Sequence, residues 1–172
     1  MIVSYLKNFI TTRLVKKGLT HGKCISSKNS IQSVGLLLDE GAFFGKNALV
    51  EELVQNGIQE HQIKVLIFKD KINKHEVFDA PFFCSKDLSW SATFDKLEVN
   101  AFIAQHFDLL INYYDVEKTP LMVVSNASKA NFKVGFASVD ERLNHFMIKA
   151  TVGDHSLFVA ELFKYLKILN KI

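Results

Sequence analysis

Along the chain the spacing of apolar and polar positions changes several times, and each change marks a new element. In the first seventeen residues Ile2, Val3, Leu6, Phe9, Ile10 and Leu14 recur at steps of three and four, which is the spacing of one helical face. Lys7, Arg13, Lys16 and Lys17 fall largely elsewhere, so an amphipathic helix is predicted, with Gly18 as its stop. Lys16 and Lys17 are placed to complement the dipole at that end. The stretch 20–30, rich in Lys, Ser, Gly and Asn, reads as a linker, and disorder is expected only near residues 18–30.

From residue 33 the pattern becomes that of buried strands alternating with helices. Ser33-Val34-Gly35-Leu36-Leu37-Leu38 is a continuous apolar run closed by Asp39-Glu40-Gly41, as a strand covered on both faces would be. A helix is expected from about residue 44 to 56, burying Leu49, Val50, Leu53 and Val54 and stopping at Gly57. A second strand, Ile63 to Phe68, completes a βαβ unit whose crossover should be right-handed. Residues 69–94 are the least regular, with a short strand at Phe82-Phe83-Cys84. Asp95 is placed to cap a helix running to Gln105, because Glu98 stands three residues on as in a capping box. Further strands are expected at 108–113, 132–136 and 146–150. Pro120 suits the first turn of a helix through Lys129, and Asp154 can cap a last helix burying Leu157, Phe158, Leu162, Phe163, Leu166 and Leu169. The expected fold is therefore α/β: a three-layer Rossmann-like sandwich with a mainly parallel sheet of five to six strands, preceded by the amphipathic helix. Residues 1–30 form the basic helix and linker, and residues 31–172 the domain.

Composition narrows the setting. The 172 residues fit one domain, and 48% hydrophobic with 23% charged residues is globular usage. Two cysteines, Cys24 and Cys84, suit a reducing compartment with both thiols free. The opening segment is broken by Lys7 and Arg13 and no small-residue cleavage site follows, so it makes a poor secretory signal. No window approaches the ~20 apolar residues of a membrane span, and the cytoplasm is the expected address. Charge is distributed unevenly: residues 1–30 carry six Lys or Arg and no acid, leaving 15 basic against 18 acidic residues in the remainder. A basic arm thus precedes a mildly acidic body.

In an open parallel sheet, ligands bind beyond the carboxyl ends of the strands, which directs attention to the loop after the first strand. Its Gly41-x-x-x-Gly45-Lys46-Asn47 spacing is one residue short of a phosphate-binding loop and lacks the Ser or Thr that would hold magnesium. Asp39 and Glu40 are adjacent carboxylates that would repel an anion. They are candidates for a ligand site at this edge, with helix capping as the alternative. Tyr113-Tyr114 followed by Asp115 ends a later strand at the same edge, so Tyr113 and Asp115 could line a pocket with Asp39 and Glu40, or the tyrosines could simply pack over loops. Asp154-His155-Ser156 holds the residue types of a hydrolytic triad, but adjacency does not make the relay. The six histidines share no helical face and Cys84 is flanked by phenylalanines, so no metal, cofactor or catalytic residue is assigned. The N-terminal helix, through Lys7, Arg13, Lys16 and Lys17, either packs its apolar face on the body or docks on a protein partner, an anionic lipid surface or nucleic acid.

Residues 107–112 (FDLLIN), continued by 125–136 (SNASKANFKVGF), resemble the N-terminal half of the heptosyltransferase-type glycosyltransferases. There a strand ending in Asp leads through a helix to a hydrophobic-Gly-Phe strand. The resemblance implies a Rossmann-like half-molecule, with the nucleotide sugar held mainly by a second domain. Asn112 stands where that family has the strand-end Asp, so no catalytic acid carries over. Taken whole, with the basic leader and the GLLLDEGAFF stretch, the chain resembles a domain family of unknown function from Bacteroidota, which implies no activity. Two functions are thus left open: a non-catalytic binding or scaffolding module, and a small enzyme or ligand-binding domain acting on a nucleotide or sugar at the strand edge.

Overall fold

The computed structural model describes residues 2–19, 30–70, 72 and 79–172. In chain order the elements are α1 (Ile2–Gly18), β1 (Val34–Asp39), α2 (Lys46–Gln55), β2 (Ile63–Phe68), β3 (Phe82–Phe83), α3 (Leu97–Ala104), β4 (Leu109–Tyr113), α4 (Thr119–Ala127), β5 (Phe132–Phe136), β6 (Phe146–Ile148) and α5 (His155–Ile168). The six strands make one sheet in the order β3-β2-β1-β4-β5-β6, and every neighbouring pair is parallel. The expected α/β architecture with its N-terminal helix is therefore the one observed. Cys24 and most of the expected linker lie outside the described residues.

Alternation along the strands explains the three layers, because successive side chains point to opposite faces. From β1 and β4, Leu36, Leu38, Leu109, Ile111 and Tyr113 face α2 and α5, where Leu49, Leu53, Phe158, Leu162 and Leu166 meet them. Leu37, Leu110 and Tyr114 point the other way, into a core completed by Val99 and Phe102 of α3, Leu121 to Val124 of α4, and Val15 and Leu19 at the end of α1. All six residues of β1 are buried, as its uninterrupted apolar run requires. The strand starts are fastened by Asp108, whose carboxylate accepts from the Gln32 and Ser33 amides and the Ser33 hydroxyl, each at 3.0 Å.

Several local expectations are corrected. Asp95 does not cap α3: the helix starts one residue later, Lys96 holds the N-cap position, and no side chain closes it. Helix α2 likewise begins at Lys46 behind Gly45 rather than near Phe44, which is left 85% exposed. Val54 of α2 and Leu157 and Leu169 near the two ends of α5 are also exposed, against the burial their spacing suggested. By contrast Asp154 does cap α5, accepting from the Leu157 amide at 3.0 Å, and Pro120 sits in the first turn of α4. Gly57 follows α2 with φ of +105°, a conformation that glycine adopts without strain.

Gly35 in β1 permits a close approach inside the sheet core. A Cβ added there would lie 2.8 Å from two ring carbons of Phe107, which is fully buried. Gly35→Ala is expected to lower unfolding free energy by about 1–3 kcal/mol, as overpacking does. Urea denaturation should register this as a lower midpoint at unchanged slope, and an unaltered midpoint would mean that the Phe107 ring yields freely.

Candidate functional site

The sheet order reverses direction between β1 and β4, and in folds of this topology that is where a crevice opens for ligands. Asp39 ends β1 here, and Tyr113 ends β4 beside Leu38. Asp39 is completely buried. Its Oδ1 accepts from the Gly41 amide at 3.0 Å, and its backbone carbonyl accepts from the amides of Ala42 and Phe43, so the carboxylate shapes its own loop and does not cap α2. The Oδ2 atom lies 2.7 Å from Lys118 Nζ, an ion pair outside hydrogen-bond angles. Lys118 also reaches Asp70 Oδ2 at 2.6 Å. One lysine from the loop before α4 therefore bridges the loops that follow β1 and β2.

Adjacent groups close the edge in the same manner. Glu40 pairs with Lys69 at 2.6 Å. The Tyr113 hydroxyl donates to the Val152 carbonyl at 2.7 Å, and its ring is packed by Phe43, Phe136 and Phe158. Asp115 is half-buried, and its backbone carbonyl accepts from Ser138 Oγ at 2.8 Å. The four residues named for this edge thus lie on one rim, with Asp39, Glu40 and Tyr113 each engaged by a neighbouring loop. A hollow of about 680 Å³ lies on one flank, with Lys46, Val50, Glu51 and Glu60 among its walls.

Burial raises the Asp39 carboxyl above its ordinary value, and the Lys118 ammonium only partly offsets it. For Lys118 the balance is opposite: burial acts to lower it, but Asp39 and Asp70 together hold it above its usual value. Tyr113 is pushed up by burial, and then by the negative charges of Asp154, Glu52 and Asp115. Chemically this is a cation neutralised by two carboxylates, one of them inside the protein.

A second polar cluster lies within the sheet on the α4 side. Tyr114 and Ser125 share a 2.7 Å hydrogen bond, Ser125 donates to Asn112 Oδ1 at 2.9 Å, and Asn112 donates to Asn144 Oδ1 at 2.8 Å. Asn144 fits only because position 135 is glycine, where a Cβ would stand 2.6 Å from its amide nitrogen. Lys133 donates to the Ser125 carbonyl at 2.7 Å, and burial pushes its amine down to about 8. Asn112, at the position of the glycosyltransferase Asp, is therefore a buried structural link.

Sequence reasoning missed Lys118, Asp70 and this cluster. The rule that directs attention to strand ends reached Asp115 in the loop after β4 but not Lys118, three residues further on. The residue types of the apparent triad diverge: Asp154 caps α5, while His155 and Ser156 both approach Glu52, at 3.4 and 2.5 Å. Among the described residues no group of three His, Cys, Asp or Glu side chains is placed to hold a metal ion, and no helix is long and apolar enough to cross a membrane.

The basic residues of α1 are distributed around its outward side. Arg13 and Lys17 are exposed, Lys7 is half-buried, and Lys16 pairs with Glu117 at 2.6 Å. A family of unknown function, DUF6913, matches residues 7–169, from the first turns of α1 to the end of α5. The chain belongs to the DUF6913 family. No curated protein and no solved structure matches it. Because the DUF6913 match includes α1 as well as the sheet, the helix is part of the family's common unit.

The Asp39 balance gives a pH dependence. Its folded carboxyl titrates above the ordinary 3.8, so the folded state takes up that proton before the unfolded state does. Stability relative to Asp39→Asn should therefore rise as pH falls through the folded value towards 3.8, and be lowest and flat well above it. Urea midpoints of both proteins from about pH 4 to about pH 7 test the sign. The reverse slope would mean that pairing with Lys118 outweighs burial.

Proposed function

We propose that this chain is a non-catalytic binding or scaffolding module of the cytoplasm, in which the Rossmann-like body is a rigid support and α1 is the contact element. The observation that carries this reading is the state of the strand-end rim. Lys118 is bound by both Asp39 and Asp70 at the reversal point, where a ligand of this fold would sit, and Glu40 and Tyr113 are engaged with Lys69 and Val152. The outward side of α1 contrasts with it, because Phe9 and Leu14 are more than half exposed there. A buried free thiol at Cys84 is in keeping with a reducing compartment.

The strand order favours a second reading, a nucleotide or sugar site at the same rim. In that case the ligand would have to displace the Lys118 bridge. Differential scanning fluorimetry of the full chain with millimolar nucleotides and nucleotide sugars separates the two. A ligand at 100 times its Kd stabilises by about 2.7 kcal/mol, which is roughly 5–10 °C in Tm for a chain of this size. The binding-module reading expects no such rise with any of them, and a rise abolished by Lys118→Ala would establish the second reading instead.

A further inference from the structure

We propose that the outward face of α1 seats the protein on a lipid bilayer bearing anionic headgroups; this names a partner for the contact element above and rests on that reading. The helix is mounted the opposite way from a typical surface helix. Towards the body it presents Thr11 and Val15, both buried, and Thr12, whose hydroxyl meets that of Thr119 on α4. Away from the body it presents Leu6, Phe9, Ile10 and Leu14, which are 49%, 58%, 37% and 52% exposed.

Charge identifies the occupant of that face. At about 100° per residue, the order around the exposed arc is Phe9, Arg13, Leu6, Lys17, Ile10, Leu14. Arg13 and Lys17 lie among the apolar side chains, not on a separate face, which corrects the simple amphipathic pattern expected from the spacing. A protein groove that gripped the apolar residues would have to desolvate Arg13 and Lys17 in the middle of its seam. At a bilayer surface the same arrangement is favourable. Apolar side chains enter the acyl boundary, while the Lys and Arg stems lie along it and return their charged ends to headgroup phosphates. Nucleic acid would answer the cations but leave four large apolar side chains in water. The field also orients the approach, since α1 holds four basic residues and no acid while residues 31–172 carry more acids than bases.

The test is flotation of the full chain with phosphatidylcholine vesicles, with and without phosphatidylserine. Binding is expected only with phosphatidylserine, and it should weaken as salt is added. Arg13→Gln and Lys17→Gln should each lower the partition coefficient about five-fold. Phe9→Ser with Leu14→Ser should abolish flotation, whereas Lys164→Gln, on α5, should change nothing. All these positions are exposed, and unchanged thermal midpoints would show that each variant is folded. In a Trp90→Phe background, Phe9→Trp should shift its emission to the blue when anionic vesicles are added. No flotation, equal flotation on neutral vesicles, or flotation indifferent to the α1 substitutions would overturn the proposal, as would binding to duplex RNA without flotation. Self-association through α1 in place of vesicle binding would overturn the lipid assignment alone. Ligand-induced stabilisation in the fluorimetry above would strike the binding-module reading while leaving the vesicle result standing.

Discussion

A carboxylate at the end of a central strand buried on both faces is tenable only when a cation and local donors answer it. Asp39 has both, in Lys118 and the Gly41 amide. The pair joins residues 79 positions apart, and through Asp70 the same ammonium reaches the loop after β2. Three strand-end loops are thereby tied at the point where the sheet order reverses. Position 41 also bears on the arrangement, since a Cβ there would come within 2.9 Å of Asp70 and 3.3 Å of Lys118. The crevice that this topology ordinarily offers to a ligand is thus held by the protein's own charges.

Beside that knot a second set of buried polar groups is answered across neighbouring elements. Asn112, Ser125 and Tyr114 form a chain of hydrogen bonds inside the sheet, and Gly135 clears the space for Asn144 to complete it. Buried amides and hydroxyls of this kind add specificity to the seating of α4 and of the loop before β6 on β4, because a shift of either would leave several of them without partners.

Elements whose signal is local were legible in the sequence. The apolar run of β1, Pro120 in the first turn of α4, Asp154 capping α5 and Gly57 after α2 all depend on near neighbours along the chain. The Asp95 cap failed although its pattern was complete: the chain enters α3 one residue later, and Asn100 instead binds the Phe94 carbonyl. Contacts between distant residues left no such signal. Asp39 and Tyr113 could be placed on one rim from topology, but nothing in the sequence marks Lys118 as the partner of Asp39, since many lysines precede or follow helices. Leu157 looked buried by periodicity and is not, because periodicity reports a face and not the extent of what lies beneath it.

The orientation of α1 follows from the same electrostatic constraint that governs Asp39. Its apolar residues share an arc with Arg13 and Lys17, so packing Leu6 and Phe9 on the body would also bury two cations, with an effective penalty of several kcal/mol for each unpaired ion. The opposite arc carries no charge at Thr11, Thr12 and Val15. Thr11 satisfies its own hydroxyl on the Lys7 carbonyl at 2.7 Å, and Thr12 meets Thr119, so these small side chains let the helix lie close to α4 with little desolvation left uncompensated. Lys16 then pairs with Glu117, and Arg142 donates to the Lys16 carbonyl at 3.2 Å, fixing the end of the helix against the body. Interleaved charge therefore decides which face is hidden, and the large apolar side chains are left outward as its consequence.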